Sequence, residues 1–189
     1  MLRRTVSRAS RRPGFSRFVT LLERAARPRP GTLAVLTYHR VDEPARTPHL
    51  YPGLISATPE EFEEQMRFLA RNHRLLSLSE LLAVRRGEAS PPARSVMVTF
   101  DDAYRDVAEH AWPIMRRHGI PLTLFVPTAY PDEPGRAFWW DRLYASLLGR
   151  GAVLSTPLGD LPVRMEEDRN RAFRLLREHV KSLPHDRAM

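Results

Sequence analysis

The 189-residue chain contains no cysteine. That excludes disulfides and thiolate metal sites, so any metal must be held by His, Asp or Glu. It leaves the compartment open. Lysine is almost as scarce, with Lys181 the single one among 30 basic residues. No apolar run approaches the roughly 18 residues that mark a membrane-spanning helix. A secretory signal is not read either, because arginines continue through the stretch where its apolar segment belongs. The expected location is therefore cytoplasmic or membrane-associated.

What is present is an ordinary globular balance, 42% hydrophobic and 28% charged, with a net charge of +8. That charge is local. Nine arginines fall in the first 30 residues against one acid, Glu23; from residue 31 onward 21 basic residues meet 21 acidic ones. A basic surface over the whole body is not supported, and no nucleic-acid partner is expected. Residues 1–30 read as a basic extension. Within it, residues 14–26 place Phe15, Phe18, Val19, Leu22 and Ala26 on one helical face. Such a helix either packs on its own domain or contacts an anionic membrane surface. Arg27-Pro28-Arg29-Pro30-Gly31 reads as a linker.

The body from residue 31 alternates strand and helix signals. Leu33–Tyr38 predicts a buried strand, followed at once by His39. Residues 43–57 hold four prolines or glycines and read as a long loop. Thr58-Pro59-Glu60-Glu61 predicts a capped helix start, with Phe62, Met66 and Leu69 as its buried stripe. Arg74–Leu78 predicts a short strand, and Ser79 is expected to cap a helix ending near Gly87. Ser95–Phe100 predicts the second main strand. Tyr104–His118 predicts a helix kinked at Pro113. Pro121–Val126 predicts a third buried strand. Residues 95–126 then form a β-α-β unit with parallel strands. Asp141 is expected to cap a helix over 142–148. Residues 150–164 suggest a hairpin, and a last helix covers 166–182.

Three apolar strands each run into polar residues: His39, the pair Asp101-Asp102, and Pro127-Thr128. In parallel α/β folds, ligand sites lie beyond the carboxyl ends of strands, so His39 and the Asp pair are expected on one face. Adjacent carboxylates can divide labour, one holding a metal while the other moves protons. The plainer alternative is that one of them only caps the following helix. His39 taken alone reads first as a buried or hydrogen-bonded structural histidine and second as a ligand. Trp139-Trp140-Asp141 could stack and bind a sugar ring, or could be a core tryptophan followed by a helix cap.

Thr99-Phe100-Asp101-Asp102-Ala103-Tyr104 resembles the first motif of the polysaccharide deacetylases, the metal-dependent carbohydrate esterases that share the nodulation-type chitooligosaccharide deacetylase domain. Thr37-Tyr38-His39-Arg40-Val41, the segment Gly119–Thr128 and Phe138-Trp139-Trp140-Asp141-Arg142-Leu143 resemble further segments of the family, in the right order. The resemblance implies a distorted (β/α) barrel of seven strands, incomplete here. It implies a divalent metal, often zinc, and removal of N-acetyl or O-acetyl groups from a polysaccharide or oligosaccharide. Carried over, Asp101 is the general base and Asp102 the metal ligand. His39, Tyr104 and Thr128 are expected near the site, with Trp139 and Trp140 toward the substrate.

Two departures stand out. The family's usual glycine after the Asp pair is Ala103 here, which tolerates positive φ poorly. The family's other metal ligands come from a His-x-x-x-His motif. No two of the seven histidines, at 39, 49, 73, 110, 118, 179 and 185, stand four apart. Residues 31–189 are therefore read as the N-terminal part of a catalytic domain, cut before that motif and inactive alone. The alternative is a non-catalytic carbohydrate-binding or scaffold remnant.

Overall fold

The computed structural model describes residues 33–90, 92–130, 132–133, 135–149 and 151–184. The basic extension, its helix over 14–26 and the membrane contact assigned to it lie outside the described residues. The chain divides into two units: one runs to Pro44 and resumes over Leu54–Pro127, and the other comprises Ala45–Gly53 and the chain from Thr128.

The first unit is built on a parallel sheet. Strand β5 (Ser95–Phe100) is its centre and is buried at every position. Strand β1 (Leu33–Tyr38) pairs with β5 along its full length, from Leu33 opposite Ser95 to Tyr38 opposite Phe100. On the other side β4 (Arg74–Leu75) pairs with the start of β5, and β6 (Thr123–Leu124) with its end. A second small sheet joins β2 (Arg40–Val41) to β3 (Ile55–Ala57), again parallel. The expected long loop over 43–57 therefore contains a strand. The α/β class and the parallel β-α-β unit of residues 95–126 hold. The main sheet has four strands among the described residues.

Helix α1 (Pro59–Asn72) starts as its sequence requires. Thr58 accepts from the Glu61 N–H, and the Glu61 side chain accepts from the Thr58 N–H. Its buried face carries Phe62, Met66 and Leu69. Phe62 meets Tyr38 edge-on with ring centroids 5.1 Å apart, and Tyr38 stacks on Phe100 at 5.4 Å. Val98, Val107, Ala111 and Met115 complete this core. Each fully buried side chain of this size contributes roughly 1.5–3 kcal/mol over leaving it exposed. The Tyr38 hydroxyl is not wasted inside: it donates to Gln65 Oε1 at 2.7 Å.

Several local expectations need correcting. Ser77, not Ser79, caps α2 (Leu78–Arg85), through a second capping box with Glu80. Strand β4 stops at Leu75 because Ser77 already begins that cap. Strand β1 is not buried throughout: Ala34, Val35 and Thr37 are exposed, since among the described residues β1 pairs on one side only. The third strand shrinks to Thr123–Leu124, and Leu124, Phe125 and Val126 are exposed. Their apolar run signals a strand, but burial depends on neighbours that sequence does not show.

Pro113 is accommodated without the expected simple kink. A π-helical turn over Val107–Ala111 precedes helix α3 (Trp112–Arg117), and the Trp112 N–H bonds back to the Val107 carbonyl. Proline has no N–H to give and crowds the carbonyl four residues back. The wider turn loosens the chain just before that position.

In the second unit, helix α4 (Trp139–Ser146) follows Phe138 as its cap residue. Asp141 is buried within the first turn and is not the cap, because the helix begins three residues earlier than the sequence suggested. Strands β7 (Val153–Thr156) and β8 (Gly159–Pro162) form the antiparallel hairpin expected of residues 150–164. Helix α5 (Glu166–Ser182) matches its predicted span and buries Phe173 and Leu176. Tyr51 and Tyr144 both pack against Phe173, at 4.2 and 5.4 Å.

Candidate active site

The carboxyl ends of β1 and β5 lie side by side because the two strands pair in register to their last residues. The Asp101 N–H donates to the Tyr38 carbonyl at 3.0 Å, which extends the ladder one step past β5. The chain then leaves the extended conformation. Asp102 and Ala103 both adopt left-handed backbone, with φ of 70° and 52°. The helical run begins only at Arg105, so neither carboxylate sits at a helix cap.

This turn presents Asp102 to His39. His39 Nδ1 lies 3.2 Å from Asp102 Oδ2, with the ring N–H donating to the carboxylate. His39 also donates its backbone N–H to Ser56 Oγ at 3.0 Å. Both acids are half-buried. Burial pushes the Asp102 carboxyl above the usual range; His39 pulls it back and Asp101 adds to the rise.

Behind this pair is a charged group that sequence reasoning passed over. Asp106 and Arg40 are 4% and 5% exposed. Arg40 Nε donates to Asp106 Oδ2 at 2.7 Å, and the Val41 N–H donates to Asp106 Oδ1 at 3.0 Å. Arg40 Nη2 reaches Asp42 Oδ2 at 3.3 Å, and the guanidinium lies 4.9 Å over the Tyr104 ring. The available signal was an arginine and an aspartate interrupting patterns that otherwise predict burial.

The structure thus brings together His39, Asp101 and Asp102, with Tyr104 held beneath Arg40. Thr128 lies in an exposed turn of the second unit. Trp139 and Trp140 are also in that unit, half-buried. Trp140 stacks on Phe138 at 4.6 Å and meets Trp139 edge-on at 5.6 Å. Neither tryptophan is a fully buried core residue.

A carboxylate and an imidazole are donors that zinc accepts, but a stable zinc centre takes at least three protein ligands. Among the described residues no group of three or more His, Asp or Glu is gathered to hold a metal. Asp102 and His39 alone fall short of that number.

The strained turn carries its own test. A left-handed non-glycine residue costs about 1–2 kcal/mol, and glycine gives back about 0.5–1 of that in chain entropy. Ala103→Gly is therefore expected to raise stability by about 0.5–1 kcal/mol in urea unfolding. A loss of stability would show that the alanine methyl makes contacts worth more than the strain.

A parallel sheet with paired carboxylates at the end of its central strand defines an α/β protein with an acidic cluster at the carboxyl end of that strand. The chain is similar to the polysaccharide deacetylases over part of its length: residues 88–153, which include Asp101 and Asp102, match the family model described as "Polysaccharide deacetylase". It is 33% identical over 79 residues to the poly-beta-1,6-N-acetyl-D-glucosamine N-deacetylase of Staphylococcus aureus (strain MSSA476), covering 41% of this chain and 27% of that protein. The chain spans about a third or less of the length of the curated relatives it matches. Among solved structures, IcaB from Ammonifex degensii aligns with a TM-score of 0.48 at 23% identity, over 82% of this chain and 71% of that one. The Streptococcus pyogenes deacetylase PplD in complex with acetate aligns with a TM-score of 0.44 at 20% identity, over 62% and 52%.

Proposed function

We propose that this chain contributes the Asp-Asp part of a metal-dependent hydrolase that removes N-acetyl groups from a polysaccharide or oligosaccharide. The observation that carries the reading is the turn at the end of β5, which sets Asp102 against His39 with Asp101 beside it. In this reading Asp101 is the general base that takes a proton from the attacking water. Asp102 is a metal ligand, and His39 fixes the orientation of its carboxylate. A divalent ion such as zinc, when bound, polarises the acetyl carbonyl and acidifies water. Tyr104 lines the base of the turn. Trp139 and Trp140 offer aromatic faces suited to sugar C–H surfaces. The S. aureus relative's named substrate, a β-1,6-linked N-acetylglucosamine polymer, is the first to try.

The remaining ligands belong, in this proposal, to a His-x-x-x-His segment outside these 189 residues. The chain alone is then expected to bind zinc weakly and to release no acetate. In the full reading-frame product, acetate release from acetylated β-1,6-glucosamine oligomers should appear. Asp102→Ala in that product should remove the metal, as zinc stoichiometry by elemental analysis would show. Unchanged stoichiometry would overturn the ligand assignment, and no acetate release from the unsubstituted product would overturn the activity.

A further inference from the structure

Four consecutive residues of one segment bond to the segment that carries the Asp pair. The Tyr38 carbonyl accepts from the Asp101 N–H, His39 meets Asp102, and Arg40 and Val41 both donate to Asp106. The last two contacts use a buried ion pair, and that choice needs a reason. Two charges taken out of water are costly, and apolar side chains of similar volume often serve stability as well or better. Here the pair is also incompletely satisfied: Arg40 Nη1 is buried with no hydrogen-bond partner among the described residues. Stability alone does not explain it. What the pair supplies is direction. Asp106 uses one oxygen on the side chain of Arg40 and the other on the backbone of Val41, which fixes both the position and the tilt of the residues just after His39. The same guanidinium lies over Tyr104, the residue just after the strained Asp102-Ala103 turn. Strained backbone persists only where its surroundings over-determine it.

We propose that Arg40 and Asp106 are positioning residues, which lace the loop carrying His39 to the helix that follows the Asp pair and thereby set the His39–Asp102 contact. The proposal rests on the reading of Asp101-Asp102 as the reactive pair. Its test needs neither substrate nor metal, so it can fail while that reading stands, and the reverse.

The 189-residue chain is labelled with ¹⁵N-histidine, and the His39 ring signal is assigned by its loss in His39→Gln. Asp102→Asn marks where that signal lies when the contact is changed. Asp106→Asn keeps an acceptor for Val41 but removes the charge. Arg40→Met with Asp106→Leu replaces the pair by apolar volume. In either folded variant the His39 signal is expected to move at least halfway to its Asp102→Asn position. A folded variant, judged by circular dichroism, that leaves the signal in place overturns the proposal. A purely structural pair would change the melting temperature without that movement. The unsubstituted chain provides a second measurement that does not depend on folding of the variants. The Val41 and Asp101 amides should exchange with deuterium as one unit, within about tenfold in protection. Much faster exchange at Val41 overturns the lacing.

Discussion

Asp101→Asn in the full reading-frame product is expected to cut acetate release by about 10²–10⁴-fold, the usual contribution of a positioned general base. Asparagine keeps the size of the side chain and cannot take a proton at neutral pH. The effect should fall on kcat, because a base acts in the transition state and adds little to ground-state binding. Zinc content should not change, since the proposal gives the metal to Asp102 and not to Asp101. The fold should not change either: the contact Asp101 makes to Tyr38 uses its backbone N–H, which asparagine retains. Activity within a few fold of the parent would remove Asp101 from the role of base. Lost zinc with lost activity would instead exchange the roles proposed for the two acids.

Phe62→Ala is expected to destabilise the first unit by about 3–5 kcal/mol in urea unfolding. Phe62 is fully buried and sits edge-on to both Tyr38 and Phe100, with centroids at 5.1 and 5.7 Å. Removing its ring leaves a cavity beneath the strand ends that the neighbouring rings cannot close without leaving their own contacts. For a unit of this size each kcal/mol moves the melting temperature by about 4–8 °C. Against a total stability of about 5–15 kcal/mol the variant would be marginal. A cost below about 1 kcal/mol would mean that α1 collapses onto the sheet, and that the aromatic trio is looser than its geometry.

Much of this was legible from residues alone, for reasons that differ by element. Ser95–Phe100 reads as a strand because a short apolar run ends abruptly in charge, and that charge marks the site. Thr58 and Glu61 fix the start of α1 because capping is a local interaction, settled within four residues. Ser77 and Glu80 carry the same spacing, so α2 could have been placed correctly by the same rule. Burial was less legible. Leu124, Phe125 and Val126 are as apolar as Val96–Val98, yet only the latter belong to the central strand β5, which has neighbours on both sides. That Arg40 and Asp106 pair with each other, as distinct from each standing in a buried pattern, was beyond reach because they are 66 positions apart. The left-handed turn was half legible. Ala103 in place of a glycine signalled a strained or altered bend, and the structure gives Ala103 a left-handed backbone and accepts the strain.

The π turn over Val107–Ala111 has a consequence for how this chain can change length. In an α-helix, residues five apart point well away from each other; a π turn has one extra residue in its ring and brings them toward one side. Asp106 and Ala111 are both buried across it. Deleting one residue between them would leave the two four apart in a regular helix, where residues four apart share a face, so Asp106 would still point to the side of Ala111. Substitutions along this stretch can be absorbed one by one. A single-residue deletion inside the turn keeps the same phase, because four residues of α-helix return to the face that five residues of π turn reach.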